Sequence, residues 1–211
     1  MADGLQPGWL DTFAQLPWAS KYLNSKQWRC QARQRNTAPD DDADRFNRDT
    51  MSAYNGVQTW VELYEKPAEG STTVQRSVSL IKFGTGLNGF PGIAHGGATM
   101  TLMDEALAFA MIASETEKNE GRWLGINWEC KKLLEEGKPI AEVLAGYMVT
   151  AKLDMKFLKP VLCPGVVGVE VETIEDKGHK MRMRGVMKDG NGTPLIQADG
   201  LWIRMGGGPK L

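Results

Sequence analysis

The sequence predicts an α+β domain in which one apolar helix lies against a curved antiparallel sheet of about six strands. Three observations carry this. Residues 94–113 form the longest apolar stretch, two β-patterned segments precede it, and four more follow one another after Gly146. Strands grouped in runs, with a helix set apart from them, are the mark of α+β rather than alternating α/β architecture.

The elements follow in order. In residues 1–50, Trp9, Phe13, Leu16, Trp18 and Tyr22 recur at roughly helical spacing, which predicts one or two short helices. Asp40, Asp41 and Asp42 follow Pro39 and read as a solvated break that can also cap a helix over 41–53. Segments 57–64 and 73–83 read as strands joined by a turn at 66–71. In the second, Val74, Arg76, Val78 and Leu80 stand against Gln75, Ser77 and Ser79, a near-alternation. A glycine-rich loop, 84–92, leads into the apolar stretch. Asp104 and Glu105 near its centre make it a buried helix rather than a membrane span. Ala98, Leu102, Ala106, Leu107 and Ala110 give that helix a small-residue surface that a curved sheet can wrap closely.

Beyond Gly146, Val149, Ala151, Leu153, Met155 and Phe157 alternate with Thr150, Lys152, Asp154 and Lys156 until Pro160 ends the strand. Turns at 163–165, 176–179 and 189–192 then separate strands over 166–175, 180–188 and 194–204, and Asp189-Gly190-Asn191-Gly192 is a strong hairpin signal. The expected organisation is an N-terminal helical extension (1–50), one domain (51–205) with an insertion at 114–145, and a flexible tail (206–211). The insertion, with Trp123, Trp128, Cys130 and a helix over 128–136, reads either as a lid or as a surface and packing element.

Composition narrows the function classes. A net charge of −1 without a long basic run points away from nucleic acid. Cys30, Cys130 and Cys163 lie far apart, and His95 and His179 complete the soft ligands, so neither a disulfide scaffold nor a zinc centre is expected. No GxxxxGK[ST] run offers a phosphate cradle, and no cofactor is expected. The N-terminus shows no basic start followed by an apolar core, so the expectation is a soluble, cytoplasmic protein with no membrane span.

The chemistry concentrates in Phe90–Ala110. Gly96 and Gly97 stand where a helix begins. Unpaired amides and the positive end of the helix dipole can there receive a carbonyl oxygen, although an ordinary loop-to-helix turn uses the same residues. Asp104 is an acid within an apolar helix and needs either a structural partner or a function. His95 and Asp104 are nine residues apart, on the order of 10 Å or more along a helix, so within one chain they do not grip the same carbonyl. Two antiparallel copies related by a two-fold can bring His95 and Gly97 of one chain to Asp104 of the other.

His95-Gly96-Gly97 followed by Asp104 resembles the HGG–helix–Asp motif of the hotdog-fold thioesterases, and within them the PaaI-like branch and its mammalian acyl-CoA thioesterase relatives. Val149-Thr150-Ala151-Lys152-Leu153-Asp154-Met155, then Phe157-Leu158-Lys159-Pro160, looks like that family's strand T-A-x-L-x-I-x-Y/F-x-x-P. The resemblance spans about residues 55–113 and 146–205. It implies a hotdog fold and hydrolysis of an acyl thioester of coenzyme A or a carrier protein, in a homodimer or dimer of dimers. It also implies roles: Asp104 as general base or nucleophile, Gly97 N–H on the carbonyl with Gly96 shaping its approach, His95 orienting the carbonyl or its loop, and Thr150 positioning water. Ala151 and Lys152 fall beside the substrate. Glu105 has no role in the motif and reads as structural. Lys156, Lys159, Lys177 and Lys180 are candidates for coenzyme phosphates by charge alone.

Two other classes compete. A hotdog lyase or dehydratase, or another non-thioester enzyme, shares the scaffold; the hydratases pair Asp and His within one loop–helix segment, which His95-Gly96-Gly97-Ala98 lacks. A non-catalytic acyl-binding module has no need to keep Asp104 in an apolar helix.

Overall fold

The computed structural model describes residues 1–33, 44–119 and 129–206. Its strands are β1 (Trp28–Ala32), β2 (Val57–Glu65), β3 (Arg76–Phe83), β4 (Asn88–Phe90), β5 (Ile93–Ala94), β6 (Met148–Phe157), β7 (Gly165–Asp176), β8 (Lys180–Lys188) and β9 (Pro194–Arg204). The helices are α1 (Trp9–Thr12), α2 (Ser20–Leu23), α3 (Gly96–Lys118), α4 (Glu129–Glu135) and α5 (Ile140–Val143). Seven strands make one antiparallel sheet in the order β1-β2-β3-β7-β8-β9-β6, while β4 and β5 pair as a separate short ribbon. The long helix α3 packs across the sheet, which is the hotdog arrangement.

The sheet has one strand more than the six the pattern predicts. β1 pairs with β2, with Cys30 opposite Leu63. Its alternation is short, Trp28 and Cys30 being buried and Arg29 and Gln31 half-buried, and it lies within a region dominated by helically spaced aromatics. That region also forms α1, α2 and a 3₁₀ turn at Pro17–Ala19. The expected helix at 41–53 becomes one π-helical stretch, Phe46–Met51. Its start, with Asp40, Asp41 and Asp42, lies outside the described residues, as do Trp123, Trp128 and the tail from 207. The helix α3 runs to Lys118, into the stretch read as insertion. Its polar last turns are held by Ser114 Oγ on Val74 N (3.0 Å) and by Glu117 on Arg29 (2.6 Å) and Tyr64 (2.7 Å).

Each strand face has its own cover. Val167, Val169, Val171, Met181, Met183, Met187, Ile196 and Trp202 meet Leu102, Met103, Ala106, Leu107 and Ala110 of α3 in the main core. The outer side of β2 and β3, namely Val61, Leu63, Val78 and Leu80, is buried under Trp9, Phe13, Leu16, Tyr22 and Trp28. The apolar half of the β3 alternation thus faces this N-terminal layer. Its serines take the other side, where Ser79 hydroxyl meets Glu62. At Gly168 a Cβ would lie 2.5 Å from the Trp18 ring, so the layer sits directly on the backbone there. No described helix is long and apolar enough to cross a membrane.

The two edges of the sheet differ. Along the outer edge of β1, Asp3 forms a parallel bridge with Arg29, accepting from Cys30 N at 2.6 Å and donating to Trp28 O at 2.9 Å. At the opposite end β6 pairs on one side with β9 and has no fully buried residue along its length.

Candidate active site

The site begins at the N-terminus of α3. The β4–β5 ribbon delivers the chain to it: Ala94 N donates to Val161 O (2.9 Å) and His95 N to Leu87 O (2.7 Å). Gly89 lies against His95, where a Cβ would come 2.9 Å from His95 Cα. His95 is the N-cap, in extended backbone, and its Nδ1 accepts from Gly97 N at 3.0 Å. With Nδ1 an acceptor, the neutral ring carries its proton on Nε2. The amide that the motif assigns to a substrate carbonyl is therefore given to His95 in this conformation. His95, Gly96 and Gly97 are all exposed.

An open pocket of about 440 Å³ stands in front of this helix start, lined by Gly89, Phe90, Ile93, Ala94, His95 and Gly96. Its walls are apolar apart from the imidazole, and Phe90 is 73% exposed. Sequence reading missed Phe90 and Ile93 as wall residues; the glycine-rich run around them was the one available signal.

Two turns along α3, Asp104 is half-buried and its Oδ1 accepts from the Thr150 hydroxyl at 3.1 Å. Burial pushes the Asp104 carboxyl above its ordinary range; the Thr150 hydrogen bond opposes this and Glu105 adds to it. Thr150 reaches the helix because the β6–β9 register shifts between Thr150 and Lys152, so Ala151 is a bulge residue. A strict alternation would keep Thr150 with Lys152, Asp154 and Lys156. Ala151 and Lys152 are exposed, and Lys152 Nζ lies 3.8 Å from Asp154. Of the lysines considered for phosphate, Lys177 and Lys180 both pair with Glu175, at 2.7 and 3.6 Å. Glu105 turns to the other flank of the helix, onto Arg33 and Asn47.

The structure thus brings together Asp104 with Thr150, and His95 with Gly97. It keeps the two pairs apart: His95 and Asp104 are separated by about 13 Å of helical rise. Among the described residues no group of three His, Cys, Asp or Glu side chains is placed to hold a metal ion.

A helix start rich in glycine, a largely apolar pocket before it and a half-buried acid two turns along thus lie on one helix. The sequence profile of the Thioesterase superfamily matches residues 91–196, half of the chain, a range that includes His95, Gly97, Asp104 and Thr150, and the chain belongs to that superfamily. Solved structures with a related shape include the PaaI protein of the phenylacetic acid degradation operon of E. coli (13% identity, 63% of this chain and 74% of that one, TM-score 0.45). Others are a hypothetical thioesterase of Streptococcus pneumoniae with coenzyme A (16%, 64% and 82%, 0.44) and zebrafish thioesterase superfamily member 2 (14%, 67% and 80%, 0.45). Likenesses this distant do not bear on activity. No curated protein matches the chain.

Proposed function

We propose that the chain hydrolyses an acyl thioester, of coenzyme A or of a carrier protein, to free acid and thiol in a site shared by two copies. The observation that carries this reading is Asp104. It is a carboxylate held in an apolar helix by the Thr150 hydroxyl, on the helix whose glycine start faces an apolar pocket. Burial makes it a better proton acceptor than an exposed aspartate, and as general base it takes a proton from water attacking the thioester carbon. As nucleophile it forms a mixed anhydride that water then opens. In both routes the C–S bond breaks and the thiol leaves, and the carbonyl oxygen carries the developing charge. Gly97 N–H is the donor for that oxygen once the His95 side chain rotates away from it.

Sharing of the site is supported by the helical separation of His95 from Asp104 and by the sheet edges. Asp3 bridges the edge at β1, whereas among the described residues no strand pairs with the free side of β6, which carries Thr150 and is an edge to which a second copy can add. Since no lysine or arginine lines the pocket among the described residues, the acyl group it suits is apolar, and dicarboxylic acyl groups fit poorly.

The test is thiol release from a panel of aliphatic, aromatic and dicarboxylic acyl-CoAs, with product masses recorded. Hydrolysis of apolar members, yielding the free acid, is expected. Release no faster than in buffer across the panel overturns the hydrolase, and an intact thioester with altered acyl mass identifies a lyase.

A further inference from the structure

The acid that follows Asp104 has its own anchorage, and it comes from the N-terminal extension. Arg33 immediately follows β1. Its backbone N–H donates to Trp60 O at 2.9 Å, and its guanidinium lies 4.6 Å from the Trp60 ring centre. From there one arm reaches Glu62 at 3.2 Å and the other Glu105 on α3. Exposure falls from the helix to the sheet: the Glu105 side chain is 23% exposed, that of Arg33 12% and that of Glu62 1%. Ser79 hydroxyl donates to Glu62, and Asn47 amide donates to Glu105 (2.8 Å) and to Asp44 (2.9 Å). One cation thus serves two acidic side chains, one on the sheet and one on the helix.

Consecutive helical residues project about 100° apart. Asp104 faces β6 and Thr150, whereas Glu105 faces Arg33 beside β1. Since β1 and β6 are opposite edges of the sheet, α3 is held from both flanks at adjacent residues. A side chain lies about 5–6 Å from the helix axis, so a rotation of about 10° moves a carboxylate by about 1 Å. Displacements of that size reduce turnover by as much as about a hundredfold. We propose that Arg33 is a positioning residue: by holding Glu105 against Glu62 it fixes the rotation of α3 that presents Asp104 to Thr150. The proposal rests on the hydrolase reading above and makes the N-terminal extension part of the catalytic scaffold.

The experiment measures kcat and KM, per folded site, for the wild type, R33K, E105Q and the double variant. A lysine head cannot bridge both carboxylates as the guanidinium fork does. Each single variant is expected to lose about tenfold in kcat. KM should stay within about twofold, and the double variant should be no worse than the poorer single, as expected for one shared interaction. If R33K does not fold, E105Q carries the test, because it removes the charge that draws Arg33 to α3 while leaving the Arg33–Glu62 pair in place. Variants that melt earlier with kcat unchanged overturn the proposal. A wild type that releases no thiol overturns the hydrolase reading instead. The clasp is then read from a crystal structure of E105Q, where an unchanged Thr150–Asp104 distance contradicts it and a lengthened one supports it.

Discussion

The Thr150 hydroxyl donates to Asp104 Oδ1 at 3.1 Å, joining the edge strand β6 to the third turn of α3. That bond stabilises the ionised carboxyl against the burial that raises its pKa. In T150A the carboxyl loses this side-chain donor, so the acid limb of kcat/KM moves to higher pH. At neutral pH the rate falls about tenfold, as expected for a hydrogen bond to a charged group. T150S restores the limb. A pH–rate profile checks this, and an unmoved limb in T150A places the active carboxylate elsewhere.

His95 caps α3 through Nδ1, and a capping side chain contributes about 1 kcal/mol to stability. H95A is expected to lose about that amount in urea unfolding, whereas H95N, whose side-chain oxygen can accept from the same amide, keeps most of it. Equal stability of H95A and wild type contradicts a capping role.

Burial raises the Glu62 carboxyl from its ordinary 4.5 to about 7, with Arg33 and the Ser79 hydroxyl opposing the shift. Between these values the folded chain holds a proton that the unfolded chain has lost. The resulting stability is fully present below about pH 4.5 and fades as pH rises through 7. Wild type is therefore expected to lose stability relative to E62Q between pH 5 and pH 8. Urea unfolding of both proteins at the two pH values measures the gap, and a constant gap shows that Glu62 does not titrate in this window.

Much of this was legible in the residues, for identifiable reasons. The central helix and the strands β2, β3 and β6 to β9 announced themselves through long apolar periods and glycine, proline and aspartate turns. β1 did not, because five residues give too short a period beside helically spaced tryptophans. Alternation in β3 revealed two faces but not their covers, since the apolar one lies under a layer built from residues 1–33. Asp104 and Thr150 could be read as a motif. The bulge at Ala151 that lets them meet is a matter of register between β6 and β9, which no local pattern encodes. The Arg33 clasp depends on contacts between residues 29 and 72 positions apart and left no local mark at all.

The central claim is that Asp104 acts directly on the thioester, and D104N tests it most closely, since the amide keeps the shape of the side chain and an acceptor for Thr150. The measurement is thiol release from the best apolar acyl-CoA, with folding followed by circular dichroism and thermal melting. A fold retained and a turnover lowered by about 10²–10⁴-fold is the expected result. Turnover within a few-fold of wild type in a folded D104N protein contradicts the account.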